Sequence, residues 1–183
     1  MRPSQPRIAP LSETEWTDEQ RKLLEPFHQE GKTYNVLGTL AQHWQATQKF
    51  LVWAYHVMGE TSTLLPRERE LLILRTGWLC QSEYEWGQHV MFAKAAGLTD
   101  AEIARIKEGP DATGWAPFDA TLLRAADELH ADAFISEKTW AALSERYSTE
   151  QLMDTVFAVG QYTLVSMALN SFGVQLDNGV KGF

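Results

Sequence analysis

An all-α fold is what this sequence predicts, and three observations carry that reading. Apolar residues recur at helical spacing over long stretches. Capping-box pairs stand at the starts of two of the helical stretches. No segment shows the alternation of a half-buried strand, and no series of short β-like runs occurs. At 183 residues the chain is long enough for one domain with a sizeable core and too short for two.

The elements follow in order. Residues 1–15 hold three prolines and no periodicity, so they read as an N-terminal arm, with the helical domain spanning 16–183. Thr17 and Gln20 have capping-box spacing and open a helix to about Glu25, where Pro26 interrupts it. Residues 35–59 place Leu37, Leu40, Ala41, Trp44, Leu51, Ala54 and Tyr55 at helical intervals, as two helices or one bent one, with Gly59 near the end. Pro66 sits at a favoured first-turn position. The following "ELLILRTGWL" is apolar around most of its circumference, so this helix is expected to be central and buried. Gly77 and "QSE" predict a break before a helix over 82–96, which Gly97 closes. Thr99 and Glu102 form a second capping box, opening a short helix to about Lys107. A Gly- and Pro-rich loop, "EGPDATGWAPFD", precedes helices at about 118–132, 136–147 and 149–172, with Ser136 and Ser148 as caps of the last two.

Composition excludes several classes of function. A net charge of −8 and the lack of any long Lys/Arg run argue against a nucleic-acid partner. No apolar stretch approaches the roughly 20 residues that span a bilayer, so no membrane association is expected. The N-terminal "MRPSQPRIAPLSE" has no apolar core of a secretory signal. The single cysteine, Cys80, cannot form an intramolecular disulfide. Together these predict a cytoplasmic protein. Seven Trp, eight Phe and five Tyr are a large aromatic load, part of which is expected to serve a subunit interface.

The helix over 82–96 carries the candidate chemistry. Its turn angle groups Glu83, Gly87, Gln88 and Lys94 on a face expected to be solvated. Trp86, Val90, Phe92, Ala93 and Ala96 form the opposite, apolar face, with Ser82, Glu85 and His89 on or beside it. Ionisable groups in an apolar layer need partners or change protonation state, and such groups perform acid–base chemistry. A Glu85–His89 pair that only satisfies itself is the structural alternative. Cys80, just before this helix, is either a packing residue or a thiol activated by the helix N-terminus. Glu70 lies in the first turn of the preceding helix, where the helix dipole alone would favour it. Asp127-x-x-His130 is half of a carboxylate–histidine metal motif without a second copy, and His28, His43 and His56 have no ligand spacing. No metal is expected.

From "LPREREL" through "YEWGQHVMFAKAAGLTDAEI" the chain resembles the carboxymuconolactone decarboxylase / alkylhydroperoxidase D-like family. The resemblance extends to "YNVLGTLAQHW" before it and to "AADELHADAFISEKTWAAL" and "LVSMALNSFGVQLD" after it. It implies an oligomeric helical bundle, most readily a trimer or a hexamer. The family's peroxidase branch has a glutamate, then Cys-x-x-Cys, then a histidine four residues on. With that histidine at His89, the glutamate falls on Glu70 and matches, but the two cysteines fall on Ser82 and Glu85. A relay histidine of that branch falls on Tyr84, and Cys80 is out of register by two residues.

The resemblance therefore implies the branch without the redox pair: a cofactor-independent, decarboxylase-like lyase acting on a small lactone or related oxygenated acid. In this reading His89 is the acid–base group, Glu85 its orienting partner or a second acid, Glu70 completes the charge network and Tyr84 donates a hydrogen bond. Cys80 and Ser82 are accessory candidates. Arg67, Arg69 and Arg75 are the cations nearest in sequence for an anionic substrate. The alternatives are a hydroperoxidase using Cys80 with an external reductant, and a non-catalytic oligomer of the same fold.

Overall fold

The computed structural model describes residues 2–28 and 33–183, among which there are helices and turns and no strand. The helices are α1 (Asp18–Leu24), α2 (Asn35–Leu40), α3 (Trp44–Met58), α4 (Pro66–Leu79), α5 (Glu83–Ala95), α6 (Asp100–Ile106), α7 (Pro117–Asp132), α8 (Glu137–Ser144) and α9 (Thr149–Phe172). The all-α expectation holds. The expected caps are in place: the hydroxyls of Thr17, Thr99, Ser136 and Ser148 each accept the amide three residues on. Residues 35–58 form two helices, α2 and α3, joined by a single 3-10 turn at Ala41–His43.

Helix α4 is the axis of the bundle and packs against α5, α7 and α9. Leu71, Leu72, Ile73 and Leu74 are each fully buried, four consecutive residues pointing in four directions, as an all-round apolar helix requires. Each such side chain contributes roughly 1.5–3 kcal/mol by leaving water. The same helix buries four charged residues, Glu68, Arg69, Glu70 and Arg75. Glu68 accepts from Arg146 and from the Tyr147 hydroxyl at 2.7 Å. Arg75 donates to both carboxylate oxygens of Asp127, at 2.5 and 3.0 Å, and to the Ile106 carbonyl at 2.8 Å. Asp127 is therefore the counter-ion of a buried guanidinium rather than half of a metal site.

Gly77 does not break α4, contrary to expectation. The helix stops at Gln81, whose φ of 50° is left-handed. Ser82 N–H donates back to the Gly77 carbonyl at 2.8 Å and Gln81 N–H to the Trp78 carbonyl at 3.0 Å, the two bonds of a Schellman stop. Gly77 serves packing instead, because a Cβ there would lie 3.1 Å from Glu85 Oε1.

The face of α5 expected to be solvated is partly covered. Gly87 and Gln88 are buried under the C-terminal tail. A Cβ at Gly87 would meet the Lys181 carbonyl oxygen at 2.7 Å, so only glycine admits the tail here. Asp177 of the tail accepts from the Tyr84 hydroxyl at 2.5 Å, the Gln88 amide at 2.6 Å and the Asn35 backbone at 2.9 Å. Phe183 packs edge-on against Trp78, at 5.0 Å between ring centroids. The N-terminal arm lies against α9 and α2, with the Arg7 amide donating to the Phe172 carbonyl and the Leu11 amide to that of Gly38.

Helix α9 corrects the reading that no stretch reaches a spanning length. Its 24 residues are long and apolar enough, and half of its most apolar window is buried in the bundle. Length here serves the core, since α9 contacts α3, α4, α5, α7 and α8.

Removing Asp127 would leave the Arg75 charge buried and unpaired. Asp127→Ala is expected to destabilise the fold by about 2–4 kcal/mol, somewhat below a fully buried pair, because Asp127 is 29% exposed. Urea denaturation checks this, and a loss under about 0.5 kcal/mol, the surface-substitution level, would contradict it.

Candidate active site

Two helices bring the central pair together. Glu70 is in the second turn of α4 and His89 in the second turn of α5, and the packing of α5 on α4 sets His89 Nδ1 2.8 Å from Glu70 Oε2. Glu70 is 1% exposed and His89 7%. An ionised carboxylate only accepts hydrogen bonds, so Nδ1 carries the proton and Nε2 is the free ring nitrogen. Nε2 makes no hydrogen bond among the described residues, and the ring lines a cleft of about 640 Å³.

The walls of that cleft come from four elements: Tyr55 and Met58 of α3, Pro66, Arg69 and Glu70 of α4, Phe92 of α5 and Tyr162 of α9. Phe92, expected in the apolar layer, is 44% exposed at the mouth. Tyr162 meets the His89 ring edge-on, with centroids 4.7 Å apart. Burial, with the charges of Glu70 and Glu85 nearby, holds its phenol protonated well above the ordinary range. Tyr162 is thus a neutral donor beside the imidazole, and sequence reasoning missed it. No local signal marked it, because it lies on a helix whose turns are apolar on nearly every side.

Arg69 resolves which cation faces the cleft. Arg67 is paired with Glu102 at 2.6 Å and Asp119 at 2.8 Å, and Arg75 with Asp127. Arg69 lines the cleft, its Nε is buried without a hydrogen-bond partner, and it stands 4.0 Å from Glu70 Oε1. Of the three, Arg69 is the guanidinium that no carboxylate among the described residues hydrogen-bonds, which suits it to an oxyanion in the cleft.

Glu85 does not pair with His89. Its Oε2 accepts from the Ser166 hydroxyl at 2.8 Å, and its Oε1 is buried with no partner. Burial pushes its carboxyl well above the ordinary value of 4.5; the Ser166 bond opposes this and the Glu70 charge adds to it. The orienting partner of His89 is therefore Glu70, and Glu85 is a separate buried acid one turn away.

Tyr84 is also absent from the cleft. It faces the tail, bonded to Asp177, with its phenol held protonated by burial and that carboxylate. Ser82 is fully buried with an unpaired hydroxyl and does not line the cleft. Cys80 is half-buried, outside the cleft, with its sulfur 3.7 Å from His130 Nδ1. Burial, then the Glu85 charge, raises its thiol, which leaves little thiolate. Among the described residues no group of three or more His, Cys, Asp or Glu side chains could hold a metal ion.

Residues 40–128 match the carboxymuconolactone decarboxylase family, a span that contains Glu70, Arg69 and His89 but not Tyr162 or Ser166. No curated protein matches by sequence. Among solved structures, the chain superposes on the core of an uncharacterised peroxidase-related alkylhydroperoxidase AhpD protein from Ralstonia eutropha JMP134 with a TM-score of 0.81. The two share 18% identity, over 96% of this chain and 95% of that one. An uncharacterised peroxidase-related protein from Silicibacter sp. TM1040 gives 0.78 at 17% identity, over 88% and 86%. The apo debrominase Bmp8 gives 0.75 at 12%, over 93% and 92%. The fold is AhpD-like.

The raised carboxyl of Glu85 has a signed consequence. A group whose folded pKa lies above its unfolded one stabilises fully below the unfolded value and loses that contribution as pH rises through the folded one. Between those two values each pH unit costs up to about 1.4 kcal/mol. Glu85→Gln keeps the shape and removes the titration. The wild type is expected to lose stability relative to Glu85→Gln as pH rises from 4.5, the ordinary value. Urea midpoints over a pH series read this, and parallel curves would show that Glu85 is not held as a buried acid.

Proposed function

We propose that this chain, which carries a carboxymuconolactone decarboxylase family segment over residues 40–128, is a cofactor-independent lyase acting on a small oxygenated acid by proton transfer at His89. One observation carries the reading. His89 is tied through Nδ1 to the buried Glu70 carboxylate, and its other ring edge lines a cleft beside the unpaired Arg69 donor.

That geometry suits decarboxylation of an unsaturated lactone acid. The cleft would take the lactone body against Tyr55, Met58 and Phe92, with an oxyanion on Arg69. As the carbon–carbon bond to the carboxylate breaks, carbon dioxide departs and the electron pair moves into the conjugated system as an enolate. Arg69 and the Tyr162 hydroxyl stabilise the oxygen, and protonated His89 delivers a proton from Nε2 to carbon. Glu70 keeps the ring oriented and stabilises the imidazolium before transfer, as a carboxylate behind a catalytic histidine does. Glu85, whose carboxyl burial pushes well above the ordinary value, lies one turn from His89 and bonds to Ser166 instead. The same reading has the protein work as a homo-oligomer, with the exposed α3 residues Val52, Trp53 and Tyr55 available as a contact surface.

The thiol alternative has less support, because Cys80 lies outside the cleft and its raised thiol resists ionisation. Carbon dioxide release from unsaturated lactone acids separates the two readings. His89→Ala is expected to lower kcat by roughly 10²–10⁴-fold, Arg69→Gln to lower kcat as well as raise KM, and Cys80→Ala to stay within a few-fold. Undiminished turnover by folded His89→Ala would refute the proton-transfer role. Rapid hydroperoxide turnover that vanishes in Cys80→Ala would replace the lyase with a peroxidase.

A further inference from the structure

A second cavity, of about 960 Å³, lies between the N-terminal arm, the start of α3 and the C-terminal half of α9, and shares no residue with the His89 cleft. Its walls are mainly apolar, Phe50, Leu164, Met167 and Phe172 among them, with Gln42, His43 and Thr47 as polar members. No acidic side chain lines it. Arg7 stands at its edge and donates only to the Ser171 carbonyl, at 3.3 Å, with no carboxylate partner among the described residues. Inside, the Thr39 hydroxyl is buried, the residue being 2% exposed, and has no hydrogen-bond partner.

A flat apolar face would be explained by a second protein surface, but these features are not those of a flat face. The site is concave and at the large end of the range for small-molecule pockets. Among the described residues that line it, the one formal charge is the Arg7 guanidinium at the rim, and His43 is the other ionisable group. An apolar wall with a single cation at one end is complementary to an elongated apolar molecule with an anionic end.

We propose that this groove binds an amphiphilic carboxylate, with a hydrocarbon chain of about ten carbons or longer along Phe50, Leu164 and Phe172 and its carboxylate on Arg7. The site is independent of the lyase chemistry: it shares no residue with the His89 cleft, and its ligand is held rather than transformed. Leu164 and Met167, 55% and 63% exposed, are the side chains that such a ligand covers.

Calorimetric titration of the intact chain with monomeric decanoate, decan-1-ol and decyltrimethylammonium tests this. Decanoate is expected to saturate one site per chain, and the other two probes to bind roughly tenfold or more weakly for want of the charge-assisted bond. Arg7→Gln should bring decanoate down to the level of decanol and leave decanol unchanged. Leu164→Asp, a surface change that puts a charge into the wall, should remove both while the helical circular dichroism is retained. The proposal is overturned if decanoate does not saturate, or if neither variant alters its binding. It is equally overturned if the chain is a dimer that ignores decanoate and dissociates in Leu164→Asp, because the groove then belongs to a second copy.

Discussion

A carboxylate that is 1% exposed must find a partner inside the protein, and for Glu70 that partner is one ring nitrogen of His89. Much of the site depends on this contact. It fixes which nitrogen of the imidazole carries the proton, and it requires α5 to lie on α4 in one register. It also directs the remaining nitrogen to the cleft rather than to the core. The cost of burying Glu70 is offset by a charge-assisted bond and by the Arg69 guanidinium nearby. Had Glu85 taken the histidine, α5 would satisfy itself and α4 would carry an orphaned charge through the middle of the bundle.

The helices were legible because their signals are local. Thr17, Thr99, Ser136 and Ser148 cap where their spacing says, and the all-round apolar pattern of 70–79 becomes the buried axis. Glu70 and His89 were also reachable, as the two positions at which the family resemblance and this sequence agree. What failed was partnership. An i,i+4 spacing made Glu85 and His89 look like a pair, but spacing on one helix says nothing of a carboxylate arriving from another. Tyr84 was misread for the same reason, since its partner, Asp177, is 93 positions away in the tail. Gly77 looked like a stop and is instead the gap that admits the Glu85 carboxyl, while the real stop uses Gln81, a residue with no special propensity for it.

The tail and the arm account for most of the remaining differences. Composition marks both as irregular, yet each covers a face that helical periodicity alone assigned to solvent. The tail closes over Gly87 and Gln88, and the arm forms one wall of the second groove. Helix α9 contributes to two separate cavities: Tyr162 lines the cleft that holds His89 and Arg69, and Leu164 lines the groove beside the arm. A single long helix can serve both because its turns are apolar on nearly every side.

The claim on which this account stands is that Glu70 holds His89 with the proton on Nδ1 and Nε2 facing the cleft. Nitrogen-15 NMR of the imidazole at neutral pH reads that tautomer directly. In the wild type the neutral His89 ring is expected to show a protonated Nδ1 and a bare Nε2, and Glu70→Gln, whose amide can also donate, is expected to lose that preference. A neutral wild-type ring protonated at Nε2, or a tautomer unchanged in Glu70→Gln, would contradict the account.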